Sequence, residues 1–371
     1  MKQLSSILTL PLWIVFFLSK YIPKDKNLIA LGTHTDSFSG NVKSLFLESS
    51  DPLYKKVFIS DNKKLVAQLN SQGYESYSKL SLNGMRQSLR AGTYVYSGFP
   101  SNINFWLSNG AKYVNVWHGT PIKKIERDVT TGKYSLKNRY EWVFKILKPY
   151  LLTKPDVLLV SSEHEKKCFK SAFNVKEDQI FRAFPPRLEK LTERAQADKQ
   201  EKNILYVPTW RDDHSFSFSE YVNLDSFNTF LEKNKLKFNI KLHPSDKSMQ
   251  TDKKYSNIVW VDQNEDVYDY LNDTDILLSD YSSMVFEALY LSKPVVLFCP
   301  DYATYQKNSR EFYIDPCEDL PVEVSYIQDE LEEKLLYSLK NTTIDKEKFK
   351  VFEPYKVKND LFKQLIQKAH S

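Results

Sequence analysis

Short, nearly unbroken apolar runs recur along this chain, and stretches with helical apolar spacing separate them. In the first half the runs are NLIALGT (27–33), KVFIS (56–60), TYVYSG (93–98), KYVNVW (112–117) and DVLLVSS (156–162). Between them lie segments such as NVKSLFLES and KKLVAQLNSQG. Continuous rather than alternating apolar runs belong to strands buried on both faces, so the pattern predicts parallel sheets covered by helices. Residues 189–202 are polar, lack an apolar period, and read as a linker. The pattern then restarts with NILYVPTW (203–210), KFNIKLH (237–243), NIVWV (257–261), DILLSD (275–280) and PVVLFC (294–299). The prediction is α/β: two doubly wound domains, 27–190 and 203–345, facing a cleft, with 346–371 as a helical tail. Ligands of such sheets bind beyond the carboxyl ends of the strands. His118, Ser161, Thr209, Arg211, His243 and Asp280 all stand at such ends.

Two segments depart from the alternation. The run 4–19, LSSILTLPLWIVFFLS, carries no charge but falls short of the roughly 20 residues a spanning helix needs. No small-residue cleavage site follows it, as a signal peptide would require. It reads as a monotopic segment, 1–26, lying in the cytoplasmic leaflet with Lys2, Lys20, Lys24 and Lys26 near the headgroups; the other reading is a buried first helix. Residues 133–154 carry Lys133, Lys137, Arg139, Lys145, Lys148 and Lys154 against Glu141. There Leu136, Tyr140, Val143, Phe144, Leu147 and Leu151 recur at helical spacing. This predicts a basic amphipathic helix that faces the membrane, its own domain, or both.

Composition narrows the field. At 371 residues and 42% hydrophobic, the chain is long enough for two domains with real cores. Net charge is +5, which suits an acidic substrate or surface without requiring nucleic acid. Cys168, Cys299 and Cys317 are scattered and odd in number, which argues for a reducing compartment.

Four stretches carry candidate chemistry. In WHGTPIKK, His118 closes a strand and can act as a general base; the plainer alternative is that it only bonds neighbouring backbone. Gly119 permits a turn or a close approach, Pro121 suits a helix start with Thr120 as its cap, and Lys123 and Lys124 suit anionic oxygens. In YVPTWRDD, Thr209 and Arg211 follow a strand, and the arginine fork suits phosphate unless Asp212 or Asp213 occupies it. KLHP places His243 at the next strand end. In SDYSSMVFEAL, Asp280, Ser282 and Ser283 lead into a helix whose N-terminus can bind an anion, and Glu287 can accept from ribose hydroxyls. Ser283 as a simple cap is the alternative there.

Several classes are excluded. There is no GxxxxGK[ST], no GxGxxG after a strand, and no His/Cys spacing for zinc. No cofactor or metal is expected, although Asp212-Asp213 leaves a weak opening for one. Cations are not interleaved with aromatics on a nucleic-acid module.

WHGTPIKKI, YVPTWRDD, His243, DILLSDYSSMVFEALYLSKPVV and DYATYQKNSREFYID occur in order, and over roughly 27–345 the chain resembles the CDP-glycerol glycerophosphotransferase family. The resemblance implies a two-lobed GT-B fold on the cytoplasmic face of the cell membrane. It implies transfer of glycerol phosphate or ribitol phosphate from a CDP-activated donor to a lipid-linked saccharide or polymer, with release of CMP, in teichoic acid or capsule synthesis. By the same resemblance His118 is the base, His243 holds the donor phosphates or protonates the leaving group, and Thr209, Arg211, Ser282 and Ser283 bind the donor. Two departures stand out. Glu126 occupies a position where the family often has Gly, and the stretch after YSS is less aromatic and acidic than usual. Glu287 there is more like a sugar-nucleotide transferase, so a GT-B glycosyltransferase is the nearest alternative. A non-catalytic membrane scaffold is the alternative from another class.

Overall fold

Thirteen strands form two wholly parallel sheets in this computed structural model, which describes residues 9–48, 51–132, 135–192, 200–209, 211, 216–242, 253–262, 265–308, 311–341 and 345–371. The first sheet holds β1 (Asp25–Gly32), β2 (Lys55–Ser60), β3 (Ser76–Ser78), β4 (Ala91–Tyr96), β5 (Lys112–Asn115), β6 (Val157–Val160) and β7 (Ile180–Arg182). Its order is β3-β2-β1-β4-β5-β6-β7. The second sheet holds β8 (Lys202–Tyr206), β9 (Leu236–Ile240), β10 (Ile258–Trp260), β11 (Ile276–Ser279), β12 (Val295–Phe298) and β13 (Glu323–Ser325), ordered β10-β9-β8-β11-β12-β13. All ten runs read from the sequence are strands. The three additional strands, β3, β7 and β13, have three residues each and lie at sheet edges, too short to give a periodic signal.

The chain divides into two units: residues 1–118, 125–187 and 354–371 form the first, and 119–124 with 188–353 form the second. In each, strand order reverses between two central neighbours, β1 and β4 in the first and β8 and β11 in the second. The crevice beyond such a reversal is where doubly wound sheets bind ligands.

Two expectations change and one gains its partners. The C-terminal residues form the helix expected of them: in Leu361–His370, Leu361, Phe362, Leu365, Ile366 and Ala369 join Ile29, Val95 and Val114 in one core. Phe362 also takes the Lys56 ammonium 4.1 Å from its ring centre. An amphipathic last helix is legible in sequence, but not the sheet that it covers. Residues 133–154 do not form one helix. Two short helices, Leu136–Arg139 and Glu141–Leu147, meet at Tyr140, which leaves the helical region (φ −116°, ψ 42°). Pro149 then pushes Lys148 out of it. The linker read at 189–202 is helical as far as Thr192, in Pro186–Thr192, and 193–199 lie outside the described residues.

The N-terminal helix, Thr9–Ser19, packs on its own unit: Phe16 stacks on Phe105 at 4.8 Å and Trp13 Nε1 donates to the Ile146 carbonyl at 2.9 Å. Among the described residues no helix is long and apolar enough to cross a membrane. Lys24 is not a headgroup contact. Its ammonium donates to the Leu89 and Leu107 carbonyls at 2.6 and 3.0 Å, and desolvation lowers its pKa to about 8.

Candidate functional site

In the first unit the site is built at the ends of β1, β4 and β5. After β5 the backbone turns sharply, with Trp117 in the left-handed region at φ 45°, uncommon for a bulky residue. Packing and hydrogen bonds hold it there. The indole lies against Phe169 and Phe173, Asn115 Oδ1 accepts from the Trp117 N–H at 2.9 Å, and Asn41 Nδ2 donates to the Val116 carbonyl at 2.7 Å. This turn presents His118 between two rings, Trp117 at 4.2 Å and His34 at 4.1 Å.

His118 Nδ1 lies 2.6 Å from the Ser97 carbonyl. A carbonyl only accepts, so Nδ1 carries the proton and Nε2 keeps its lone pair. Desolvation by the surrounding protein pushes the His118 pKa well below the usual histidine value, and the neighbouring His34 and then Arg187 add to that, against the Ser97 carbonyl. His118 is nonetheless exposed to solvent in part, and the direction of the shift is down. The result is a neutral, oriented imidazole at physiological pH, the form that a general base requires.

His34 was missed by sequence reasoning, yet the signal existed: a histidine just past a strand end, as with His118 and His243. Ser161 is not part of this cluster. Its N–H is taken by Glu165, in the capping arrangement of helix Glu163–Phe173, where Ser162 Oγ accepts from the Glu165 N–H at 3.2 Å. Glu126 holds φ 49°, a conformation that costs a glycine nothing, and its carboxylate pairs with Lys137.

In the second unit, residues 119–124 are extended rather than helical. Tyr313 N–H donates to the Ile122 carbonyl and Lys124 N–H to the Glu311 carbonyl, at 2.8 and 2.7 Å, around an antiparallel bridge between Lys123 and Phe312. Thr120 therefore caps no helix; its hydroxyl lies 3.2 Å from Tyr290 OH. Lys123 sits 5.1 Å from the Tyr305 ring centre, and Lys124 pairs with Glu311 at 3.0 Å. Gly119 lies so close to helix Met284–Tyr290 that a Cβ there would be 3.0 Å from Ser283 Oγ and 3.9 Å from Glu287 Oε1. The structure thus brings Gly119, Ser283 and Glu287 together. Ser282 Oγ, not Ser283 Oγ, takes a helix amide, that of Met284 at 3.3 Å.

Arg211 differs from its expected role. Nη1 donates to Asp280 Oδ2 at 2.6 Å and to the Thr209 carbonyl, while Nε and Nη2 reach Asp301 at 3.0–3.3 Å. Phe216, Tyr281 and Tyr305 surround the guanidinium at 4.5–5.1 Å. Burial opposes its charge, but the two carboxylates hold its pKa above the ordinary arginine value. A fork so fully engaged is a buttress, not a phosphate clamp. Asp280 Oδ1 accepts from the Thr209 and Tyr281 N–H groups at 2.8 and 2.6 Å, so one carboxylate ties the β8 and β11 loops together. Asp301 is the member of this hub that sequence reasoning missed. Among the described residues, Thr209 Oγ1 is buried with no hydrogen-bond partner. His243, Asp212 and Asp213 lie outside the described residues. Among the described residues no cluster of three His, Cys, Asp or Glu side chains is placed to hold a metal ion.

Comparison with known proteins decides the family. The family described as CDP-Glycerol:Poly(glycerophosphate) glycerophosphotransferase matches residues 14–359. The chain belongs to this family. It is therefore a transferase, and the scaffold alternative falls. This glycerophosphotransferase is 27% identical over 343 residues to a teichoic acid poly(glycerol phosphate) polymerase of Bacillus spizizenii, covering 81% of each chain. It is 26% identical over 321 residues to a teichoic acid glycerol-phosphate primase of Bacillus subtilis, covering 80% of this chain and 79% of that one. It spans only 44% of the poly(glycerol phosphate) polymerase of Bacillus subtilis. Its fold matches a structure of the wall teichoic acid polymerase TagF with TM-score 0.73 at 19% identity, covering 96% of this chain and 91% of that one. A UDP-GlcNAc 2-epimerase from Neisseria meningitidis, a GT-B-like enzyme, shares the fold more distantly, at TM-score 0.54 and 12% identity over 92% of this chain and 98% of that one.

Proposed function

We propose that this glycerophosphotransferase moves an alditol phosphate, glycerol phosphate before ribitol phosphate, from a CDP-linked donor to a hydroxyl of a lipid-linked glycan or polymer. The acceptor oxygen attacks the β-phosphorus, its proton passes to His118 Nε2, the bond to the α-phosphate oxygen breaks, and CMP leaves. The observation that carries this reading is His118 itself: neutral, with Nδ1 committed to the Ser97 carbonyl. A general base contributes about 10²–10⁴-fold. Names of relatives favour glycerol, since a polymerase and a primase of glycerol phosphate match 81% and 80% of the chain, whereas a primase and a polymerase of ribitol phosphate match 54% and 42% of it.

Thr209, Ser282, Ser283, Glu287 and Lys123 are assigned to the donor, with the unpartnered Thr209 hydroxyl as a ligand for a phosphate oxygen. Asp280 and Arg211 shape those loops rather than touch phosphate. Gly119 and Thr120 fit the chain closely against helix Met284–Tyr290. Lys124 is held by Glu311. His243, assigned by resemblance, serves the donor phosphates or the leaving group. This reading assigns no resident cofactor and gives positioning and electrostatic stabilisation to the residues named.

We place the enzyme on the cytoplasmic face of the cell membrane as a peripheral protein. The support is an exposed apolar surface on two adjoining elements: Ile14, Phe17 and Leu18 are 59–63% exposed on the N-terminal helix, and Trp142 is 70% exposed on helix Glu141–Leu147. Product as wall polymer or as capsule is separated by the acceptor.

The test is incubation of the purified protein with CDP-glycerol, CDP-ribitol and UDP-sugars, followed by nucleotide analysis and mass spectrometry of the lipid product. CMP with an added glycerol phosphate supports the reading. UDP in its place establishes a glycosyltransferase. His118→Ala is expected to lose most turnover while retaining CDP-glycerol binding.

A further inference from the structure

The imidazole of His34 has no part in the chemistry described above, yet it lies against the ring that does. It stands just past β1, next to β4 in the sheet. Its ring lies on that of His118, with centroids 4.1 Å apart and planes 21° from parallel. Trp117 covers His118 at 4.2 Å. Ser97 meets both histidines: its carbonyl faces His118 Nδ1 at 2.6 Å, while its hydroxyl accepts from the His34 N–H at 3.3 Å and lies 3.5 Å from His34 Nδ1. Gly98 makes the space for this arrangement, since a Cβ there would come within 2.9 Å of His34 Cβ and 3.0 Å of Asn102 Oδ1.

We propose that His34 is a positioning residue for His118, holding its ring so that Nδ1–H stays on the Ser97 carbonyl and Nε2 stays turned towards the acceptor hydroxyl. The assignment rests on His118 being the base. The χ2 torsion of a histidine is broad, so one hydrogen bond leaves the ring free to rock about it. Contact on both faces removes that freedom, and the reacting atoms need a narrow range of orientation. The pair also favours the neutral base. Among the described residues, the charged or titratable groups that act on His118 are His34, from the loop after β1, and Arg187, from helix Pro186–Thr192. A proton on Nε2 would put a cation near the Arg187 guanidinium and against the His34 ring, which takes the place of solvent.

The test uses the full chain with selectively 15N-labelled histidine, followed by NMR and by steady-state kinetics. In the wild type His118 is expected in the Nδ1–H tautomer and neutral at pH 6. His34→Ala should mix the tautomers, raise the His118 pKa, and lower kcat by as much as about 10²-fold. The KM for CDP-glycerol should stay within about twofold, because no donor contact is lost. His34→Phe keeps the stacking face and should recover most of kcat. The proposal is overturned if His34→Ala leaves the tautomer and titration of His118 unchanged, if His34→Phe is as impaired as His34→Ala, or if the loss lies in KM rather than kcat. Should His34→Ala fail to fold, His34→Phe and His34→Gln give the same comparison. If His118→Ala keeps full activity, the base assignment fails on its own, and the NMR of the His34 variants still reports whether His34 holds that ring.

Discussion

The Arg211 guanidinium donates to Asp280 Oδ2 at 2.6 Å, and the two side chains are 4% and 0% exposed. An arginine past a strand end reads as a phosphate ligand until its partners are known. Here Asp280 and Asp301 consume the fork, and the same Asp280 carboxylate fixes the Thr209 and Tyr281 amides. Removing one partner of a buried pair leaves a charge uncompensated, at a cost of about 3–5 kcal/mol. Asp280→Asn and Arg211→Met are therefore each expected to destabilise the protein by that order in urea unfolding. Arg211→Lys should rescue little, since an ammonium cannot span both carboxylates. A phosphate-clamp role would instead leave stability intact and raise the KM for the donor.

The pH profile follows from the direction of the His118 shift. Its folded pKa lies below the ordinary 6.5, so the base stays unprotonated as pH falls through the range where a free histidine would charge. The acid limb of kcat/KM is expected below pH 6.5, with activity lost as pH falls through the folded pKa. Linkage gives stability the same sense. Between the folded pKa and 6.5 the unfolded chain binds the extra proton, so this group makes the fold less stable as pH drops. An acid limb above 6.5 would contradict the geometry of a desolvated ring.

Gly119 is fixed by backbone and by contact. Its φ is 159°, a conformation that residues with a Cβ rarely adopt, and an alanine there would place Cβ 3.0 Å from Ser283 Oγ, tighter than packed side chains normally sit. Gly119→Ala is expected to lower stability by roughly 1–3 kcal/mol, the usual cost of overpacking. Adding Ser283→Gly should restore only part of it in thermal melts, because the close atom is then gone but the backbone strain remains. Full recovery in the double variant would place the whole cost in the contact.

Lys24 tests whether the N-terminal segment is part of the fold. Its ammonium holds two carbonyls, so Lys24→Met should cost roughly 1–3 kcal/mol by leaving them unpaired. With a folded pKa of about 8, Lys24 binds fewer protons folded than unfolded between that pH and 10.5, so its own contribution to stability rises with pH there. That slope should vanish in Lys24→Met.

Membrane association is checked on the exposed face. Phe17→Asp with Trp142→Asp should reduce co-sedimentation with anionic vesicles while leaving the melting temperature unchanged, because both side chains are largely exposed. Unchanged sedimentation would remove these helices from the membrane contact.

The sequence by itself determined the sheets. Ten strand runs, their parallel character and the strand-end placement of His118, Thr209 and Asp280 follow from local apolar pattern, because a strand buried on both faces must be apolar throughout. The ordered motifs carried the family as well. Only the tertiary structure decided which side chains meet across long separations. It engaged Arg211 with Asp301, set Gly119 against Ser283, placed His34 on His118, and folded the last helix onto the first sheet. Local pattern fixes which way a residue faces, but partners far apart in the chain are chosen by how whole elements pack, and no short stretch of sequence encodes that.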